Sequence, residues 1–421
     1  MIVWVWRDCE PLPFDPNDPR LMRAGMLCAA LAKRGHRVRW FNSTFDHYQK
    51  RIRSQPPGSY VLDDGVQIEL VKGVGYSSNG SPRRLLHNAL VGRRFDRRAR
   101  HIASSMGELP DVIIADLPMP DSALAAVRLA KEWSVPSVVS VRDLWPDFFS
   151  SFIHPAKAWA ARPFIANLDR MVRAACSGAD HLIGISNGYL NWALEKAGRE
   201  QRNGDAIAPL GYAPPAVKAN EMTLAGLKAK GIDLNKDLAT FIGSWGRTYD
   251  LDLLLAAAKK LQRDESLQFV IAGKGEQGAA FSEAAGKLGN VALPGWLDNQ
   301  EIAALLAQSS VALAPYSVDA PQGLPNKLFE YMAAGLYQVT TLRSEAREVL
   351  GQSGAGIVVS DNDAETFAQA IVEARGIGRG AAKRAQIKAY FAEHFDASKV
   401  YGDYAIKLEQ IVLSGGDPCD A

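Results

Sequence analysis

Short apolar runs alternate with longer amphipathic stretches along both halves of the chain. The runs are rich in β-branched and aromatic residues and are bounded by Gly, Pro or polar residues, which is typical of strands. Between them, apolar residues recur every three or four positions, which predicts helices with one buried face. The predicted strands are 2–6, 38–41, 67–70, 112–115, 137–141 and 181–185 in the first half, and 239–242, 268–272, 291–293, 311–314, 338–341 and 356–359 in the second.

This alternation predicts an α/β fold of parallel sheets with helices on both faces. The chain has 421 residues, too many for one ordinary core, so two domains of about 200 residues are expected. The series of strands breaks once, where Gly and Pro residues punctuate the chain. We therefore predict two doubly wound Rossmann-like domains that face each other across a cleft. The predicted parts are an N-terminal domain at 1–208, a hinge at 209–215, a C-terminal domain at 216–390, and a C-terminal helix at 391–421 that returns to the N-terminal domain.

Composition excludes several classes of protein. Apolar residues make up 47% and charged residues 22%, as in folded, soluble proteins. No run of 18 apolar residues lacks a charge, so no transmembrane helix is expected. Cys9, Cys28, Cys176 and Cys419 are widely separated, which argues against a disulfide framework and fits a reducing compartment. We expect a cytoplasmic protein without a nucleic-acid partner.

One predicted helix stands out by its charge. Seven arginines lie between Arg83 and Arg100, with Leu86, Leu90 and Phe95 near helical spacing. A basic helix with an apolar face can lie on an anionic membrane surface. The alternative is a solvated helix that covers its own core. The segment, with the apolar cluster at 148–153, therefore raises the hypothesis of a peripheral position on the inner face of the cell membrane.

The most informative stretch is QGLPNKLFEYMAAG at 322–335, which follows a predicted strand and a polar loop. Pro325 and Asn326 predict a helix start with Asn326 as the N-cap. The N–H groups of the first turn, around Leu324 to Asn326, would then form an anion site. Gly323 removes a side chain where backbone must approach a ligand.

Lys327 and Glu330 are three residues apart and lie on one face of that helix. A cation near the helix start suits a diphosphate, and a carboxylate one turn later can accept hydrogen bonds from ribose hydroxyls. An earlier loop, Gly243-Ser244-Trp-Gly246-Arg247, also follows a strand, and Arg247 can hold two phosphate oxygens. An isolated Lys–Glu pair is otherwise only a surface ion pair.

The 322–335 stretch resembles the retaining glycosyltransferases of family 4, which have the GT-B fold and a signature of two glutamates separated by seven residues. Glu330 matches the second glutamate, whereas Gln322 replaces the first and adds no charge. The form PNKLFEYMAAG, with RDLWP at 142–146, is similar to the transferases that build bacterial O-antigens and capsules.

The resemblance implies that 1–208 is the acceptor-side domain and that 216–390 is the nucleotide-sugar-binding domain. It also implies how the other loops take part. Arg247 and Lys327 would hold the donor diphosphate. They would be the only cations to do so, because Tyr249 and Asp250 stand where the family commonly has Lys-Gly. Arg142 and Asp143 would lie near the donor sugar and take part in catalysis together with Arg247, Lys327 and Glu330. Residues implied to line the donor site are Gly243, Ser244, Gly246, Gly273, Lys274, Gly275, Trp296, Leu297, Gln322, Gly323, Leu324, Pro325 and Asn326.

The sequence thus predicts a retaining hexosyltransferase that needs no cofactor or metal, since its histidines show no metal-ligand spacing. It would move a sugar from a nucleotide-diphosphate sugar, expected to be UDP-linked, to a glycan or lipid-linked acceptor in bacterial surface polysaccharide biosynthesis. Two alternatives stay open. A UDP-sugar 2-epimerase of the same fold needs no acceptor, and a non-catalytic sugar-nucleotide binder would fit Gln322 and the missing lysine near Tyr249.

Overall fold

A computed structural model describes residues 1–421 except 17–18, 148–154, 216–219, 247, 276–277, 319, 321–322, 361 and 416–421, and except the side chains of 155–158 and 160. The chain forms two compact units. The first comprises Met1–Gly211 with Ala397–Ala421, and the second comprises Tyr212–Asp396.

The sheet of the first unit is parallel except at one edge. Among the described residues its strand order is β10-β9-β8-β7-β1-β2-β6-β5, and β5 pairs antiparallel with β6. The strands are β1 Ile2–Trp6, β2 Arg37–Ser43, β5 Gly58–Val61, β6 Gln67–Val71, β7 Val112–Leu117, β8 Ser137–Val141, β9 His181–Gly184 and β10 Ala206–Ile207, with a separate hairpin of β3 Phe45–Asp46 and β4 Arg51–Ile52. The helices are α1 Arg23–Lys33, α2 Pro82–Met106, α3 Pro120–Trp133, α4 Pro155–Gly178, α5 Asn187–Ala197 and, at the end of the chain, α14 Ala397–Leu413.

Both faces of this sheet are covered by helices, which is why its central strands β1, β7 and β8 are almost entirely buried and mostly apolar. On one face Trp4 and Trp6 pack with Phe95 of α2. On the other face Trp40 packs with Tyr401 of α14, so the C-terminal helix belongs to the core of the first unit.

The sheet of the second unit is parallel throughout its described strands, in the order β13-β12-β11-β14-β15-β16. The strands are β11 Asp237–Ile242, β12 Leu267–Ala272, β13 Val291–Ala292, β14 Val311–Ala314, β15 Gln338–Thr340 and β16 Gly356–Val358. The helices are α6 Glu221–Ala229, α7 Leu251–Lys260, α8 Gly278–Ala285, α9 Asn299–Gln308, α10 Asn326–Ala333, α11 Ala346–Ser353, α12 Ala364–Gly378 and α13 Ala381–His394.

The prediction of an α/β fold with parallel sheets is confirmed. Every predicted strand is present, within two residues of its predicted bounds. The short strands β3, β4, β5 and β10 were not predicted. Within the described part of the chain, no helix is long and apolar enough to cross a bilayer.

The strand order reverses at the first strand of each unit. β1 lies between β2 and β7, and β11 lies between β12 and β14. Ligands of doubly wound sheets bind at the carboxyl ends of the strands that flank such a reversal. A site is therefore expected in the loops after β1 and β7, and in those after β11 and β14.

Candidate active site

The ammonium group of Lys327 lies in an aromatic recess of the second unit. Its Nζ is 5.2 Å from the ring centroid of Phe241, 5.7 Å from that of Tyr249 and 5.5 Å from that of Tyr331. The hydroxyl of Tyr331 is fixed to the ends of both strands at the reversal. It donates to Leu313 O at 3.1 Å and accepts from Ile242 N at 3.2 Å. The recess therefore stands where the topology predicts a ligand.

Burial lowers the pKa of Lys327 to about 8, although the nearby Glu330 carboxylate opposes that shift. Within the described chain the ammonium donates no hydrogen bond and forms no ion pair. The rings stabilise its charge in part, because a cation is attracted to an aromatic face. The recess thus holds a lysine with unused donors, which an anionic ligand would complete.

Gly243, directly after β11, lies against this lysine. A Cβ built on Gly243 would be 3.1 Å from Lys327 Nζ and 3.1 Å from Phe241 Cζ. At Gly246, three residues later, a Cβ would meet no atom within 4 Å. The absence of a side chain at 243 therefore sets the place of the ammonium.

We predict that Gly243→Ala lowers kcat for transfer by about tenfold, because the new methyl group displaces the ammonium by a fraction of an ångström. Gly226→Ala, on α6 of the same unit, is the control, because a Cβ there would meet no atom within 4 Å and the residue lies outside the donor loops. Both variants would be assayed at saturating donor, with thermal unfolding as a check of folding. Equal loss in the two variants would show that the contact with Lys327 is not the cause.

Gly273 and Gly275 allow the loop after β12 to pack closely against the loop after β11. Gly273 has φ +142°, and its Cβ would lie 1.8 Å from Gly243 O. A Cβ on Gly275 would lie 2.1 Å from Trp245 O. Trp245 N donates to Lys274 O at 2.9 Å, and so the loops after β11 and β12 form one backbone-packed surface. On that surface the side chains of Ser244 and Lys274 are exposed.

The two candidates after β13 differ from each other. Trp296 is 70% exposed and presents a free aromatic face. Leu297 is buried, so the structure gives it a packing role.

Glu330, one turn after Lys327, is half-buried and oriented by a tyrosine that sequence reasoning missed. Its Oε1 accepts a hydrogen bond from the Tyr212 hydroxyl at 3.2 Å. Tyr212 is itself buried, and its N–H donates to Phe395 O at 2.9 Å. Among the described residues, Oε2 of Glu330 accepts no hydrogen bond, which leaves it for a ligand hydroxyl.

The start of α10 corrects one prediction. The helix begins at Asn326, and the N-cap position belongs to Pro325, whose backbone is extended at φ −77° and ψ 145°. Asn326 therefore does not cap the helix, and Pro325 has no side-chain group that could accept from the first turn. Proline is tolerated there because its missing N–H would have no helical partner. In the first turn the N–H of Leu328 donates to Pro325 O at 3.0 Å, whereas those of Asn326 and Lys327 donate to no described backbone carbonyl and can bind an anion.

The rest of the predicted 322–335 loop is placed only in part. Gly323 O accepts from Ser344 Oγ at 2.6 Å, and Leu324 is buried. Gln322 and Arg247 lie outside the described residues, so their roles stay predictions.

In the first unit, the loops after β1 and β8 meet in a buried ion-pair cluster beside the end of β7. An Nη atom of Arg142 donates to Glu10 and lies 3.4 Å from Asp116. Arg7 Nε lies 3.4 Å from Glu10 and 3.9 Å from Asp116. Burial raises the pKa of Glu10, but the charges of Arg142 and Arg7 outweigh it and hold that pKa below its usual value. Arg142 is thus paired with Glu10, which sequence reasoning missed, whereas the side chain of Asp143 is exposed and makes no described ion pair.

Two family models match the chain, one in each unit. Residues 22–206 match a model described as a glycosyl transferase 4-like domain, and residues 236–375 match one described as glycosyl transferases group 1. The chain belongs to the glycosyltransferases of family 4.

Solved structures share the fold of this glycosyltransferase over nearly its whole length. Sucrose-phosphate synthase from Thermosynechococcus elongatus is 16% identical with a TM-score of 0.68, covering 98% of this chain and 99% of that one. HepE from Anabaena, in complex with UDP and glucose, is 14% identical with a TM-score of 0.62, covering 97% and 99%. WaaG, a glycosyltransferase involved in lipopolysaccharide biosynthesis, is 15% identical with a TM-score of 0.59, covering 98% and 99%. At these identities the likeness shows the GT-B fold alone.

One sequence relative is a putative colanic acid biosynthesis glycosyltransferase, WcaL of Escherichia coli strain K12. It is 35% identical to this glycosyltransferase over 82 residues, which are 19% of this chain. The match spans only 20% of the length of WcaL.

Proposed function

We propose that this glycosyltransferase moves a sugar, with retention of configuration and without a metal, from a nucleotide-diphosphate sugar to a glycan or lipid-linked acceptor. The observation that carries the proposal is the ammonium of Lys327 beside Gly243, one helical turn from Oε2 of Glu330; neither group has a hydrogen-bond partner among the residues that the structure describes. Lys327 and the start of α10 would bind the diphosphate, and Glu330 would accept hydrogen bonds from the ribose hydroxyls. The predicted Arg247 would add a second cation, so that the protein supplies the positive charge and no metal ion is needed.

Catalysis in this proposal follows from where charge develops. As the bond between the sugar C1 and the phosphate oxygen breaks, negative charge grows on the diphosphate, and Lys327 stabilises that charge more than the ground state. The acceptor hydroxyl forms its bond to C1 on the face that the diphosphate leaves. Its proton passes to the departing phosphate oxygen, which gives retention without a side-chain nucleophile.

The nucleotide and the pathway are supported by relatives. HepE was solved with UDP and glucose, which supports UDP as the nucleotide. WcaL is described as a putative colanic acid biosynthesis glycosyltransferase, and WaaG as a glycosyltransferase involved in lipopolysaccharide biosynthesis. Both descriptions support a role in the synthesis of bacterial surface polysaccharides.

A screen of UDP-, GDP-, ADP- and dTDP-sugars by thermal stabilisation would test the proposal. A ligand at 100 times its Kd stabilises the native state by about 2.7 kcal/mol. The stabilising donor would then be incubated with EDTA and candidate acceptors, and the anomeric configuration of the product would be read by NMR. Conversion of a UDP-sugar to its 2-epimer without an acceptor would favour an epimerase. Tight binding with neither hydrolysis nor transfer would favour a non-catalytic binder.

We also propose that the enzyme works in the cytoplasm at the inner face of the membrane, through part of α2. The structure reduces the number of arginines in the basic segment that are available to a membrane. Carbonyl or carboxylate groups of the same unit bind four of them, Arg83, Arg94, Arg98 and Arg100. Other arginines are exposed without a described ion pair, and Leu86 of the same helix is 55% exposed. These free arginines are Arg93 and Arg97 of α2 and Arg128 of α3. The apolar cluster at 148–153 lies outside the described residues.

Neutralising Arg93 and Arg97 together to Gln is expected to weaken binding to phosphatidylglycerol vesicles by roughly 30-fold, from about 1 kcal/mol per basic residue. Vesicle flotation would measure it. Lys228→Gln with Lys259→Gln in the second unit removes the same charge and is the control. Unchanged flotation of the arginine variant would contradict the membrane proposal.

A further inference from the structure

A cavity of about 570 Å³ lies between α2, α3 and α4 of the first unit. Its lining residues belong to these helices and not to the loops after the strands, and none of them belongs to the proposed donor site. Its volume is within the range of small-molecule sites. We infer that this cavity binds a phosphate ester that carries free hydroxyl groups, such as a soluble polyol phosphate or the headgroup of phosphatidylglycerol.

Three arginines supply positive charge from two walls of the cavity. Arg93 and Arg97 are one turn apart on α2, and Arg128 lies on α3. All three residues are exposed, and within the described ranges their guanidinium groups form no hydrogen bond and no ion pair. A guanidinium can donate two hydrogen bonds to the oxygens of one phosphate group. Arginines on two walls are therefore suited to hold a phosphate between them.

The fourth arginine of the cavity is already neutralised. Arg100 Nε lies 3.1 Å from Asp96, and an Nη atom of Arg100 lies 2.6 Å from Glu132. This ion pair also occupies the carboxylate of Asp96, which lines the same cavity. Among the described lining residues, the charged groups left without an ion pair are three guanidiniums and one carboxylate, that of Asp121. The cavity therefore attracts anions.

Asp121 is the reason to expect hydroxyl groups on the ligand. It lies half-buried in the first turn of α3, and burial raises the pKa of its carboxyl, although the charge of Arg93 opposes that shift. No other residue that the structure describes donates a hydrogen bond to its side chain. A carboxylate repels a bare phosphate but accepts hydrogen bonds from hydroxyls. A ligand that carries both groups can bind the arginines and Asp121 at once.

Close packing of the helices fixes the position of Asp121. Gly92 of α2 lies against it, and a Cβ on Gly92 would be 3.0 Å from the carbonyl carbon of Asp121 and 3.1 Å from its Cβ. Leu124 and Met171 add half-buried apolar wall. The cavity thus combines cations, a fixed acceptor and apolar wall, which is typical of a small-molecule site.

Arg93 and Arg97 are also the arginines through which we propose that α2 meets the membrane. Attraction to a charged surface depends on the number of charges, whereas binding in a cavity also depends on its free volume. Ala125→Phe fills this cavity from α3 and leaves every charge in place. The variant therefore separates the cavity from general attraction to a membrane.

The test is isothermal titration of the full chain with glycerol 3-phosphate, with thermal unfolding of each variant as a check of folding. We expect the wild type to bind, and Arg97→Gln with Arg128→Gln to bind about 10- to 100-fold more weakly, because hydrogen bonds between charged groups are lost. Lys33→Gln with Lys72→Gln removes two exposed positive charges outside the cavity and should leave binding unchanged. Ala125→Phe should abolish binding.

Inorganic phosphate tests the contact with the hydroxyl groups. The wild type should bind glycerol 3-phosphate more tightly than inorganic phosphate. In Asp121→Ala this preference should fall by about tenfold, since a hydrogen bond to a charged group is lost and the repulsion of bare phosphate is removed. Inorganic phosphate that binds the wild type as tightly as the ester would overturn the assignment of a hydroxylated ligand.

Flotation with phosphatidylglycerol vesicles identifies the source of the ester. Flotation that is lost in Ala125→Phe and is inhibited by glycerol 3-phosphate would assign the ester to the lipid headgroup. Flotation that persists in Ala125→Phe, while titration shows no binding, would assign it to a soluble ligand. Both results support the cavity as the site.

Equal binding of glycerol 3-phosphate to the wild type and to the Arg97/Arg128 variant would overturn the inference, as would absence of binding to the wild type. UDP binding is measured in the same proteins and should be equal in all of them, because the proposed donor site is in the second unit. If UDP does not bind the wild type, the proposed function fails and the inference about the cavity does not.

Discussion

Lys327→Met is expected to lower kcat by about two to three orders of magnitude, the usual cost of removing one group that stabilises transition-state charge. The methionine side chain fills the same aromatic recess, and Glu330 keeps its hydrogen bond from Tyr212, so the fold should persist. Single-turnover transfer from the identified donor, with thermal unfolding alongside, measures the effect. Full turnover in this variant would refute the assignment of the diphosphate to Lys327.

The same lysine predicts the pH dependence. With a pKa of about 8 in the free enzyme, Lys327 is charged below that pH and neutral above it. Because kcat/KM reports the free enzyme, kcat/KM for the donor should fall above pH 8 with a slope of one proton. A bound diphosphate favours the charged form, so kcat should hold to a higher pH. In Lys327→Arg the inflection should vanish, since a guanidinium stays charged throughout this range.

Glu330→Ala is expected to raise the KM for the donor by about 10- to 100-fold with a smaller change in kcat. Its oxygens would bind ribose hydroxyls equally in the ground and transition states, and hydrogen bonds to a charged group contribute about 1.5–3 kcal/mol. Initial rates over a range of donor concentrations separate the two constants.

Tyr212→Phe tests the orientation of that carboxylate. It removes the hydroxyl that holds Glu330 Oε1 and leaves the ring in place, so a rise in KM of roughly tenfold or less is expected.

For Glu330→Ala, the control for the loss of a carboxylate is Glu348→Ala on α11. A donor KM unchanged in Glu330→Ala would show that the ribose is bound elsewhere.

Local patterns in the sequence were sufficient to predict the fold. The spacing of apolar residues indicates strands and helices, and Gly and Pro residues indicate where the chain reverses. The short runs at 137–141 and 311–314, rich in Val, Ala and Leu, became strands with those bounds, since a parallel strand buried on both faces favours small and apolar residues at successive positions. The short strand β5 escaped prediction because an edge strand with one partner needs no such run. The N-cap was placed on Asn326 from its residue type, whereas the extended backbone of Pro325 decided where α10 begins.

The sequence by itself determined the family, the two strand–helix series, and the loop–helix that carries Lys327 and Glu330. Only the tertiary structure decided their surroundings. Tyr212 is 118 residues from Glu330, and Glu10 is 132 residues from Arg142. Strand order brings such partners together, and it depends on the reversal of each sheet at its first strand. The physical reason is that residue spacing fixes which face of an element is apolar, whereas the packing of whole elements fixes which side chains meet.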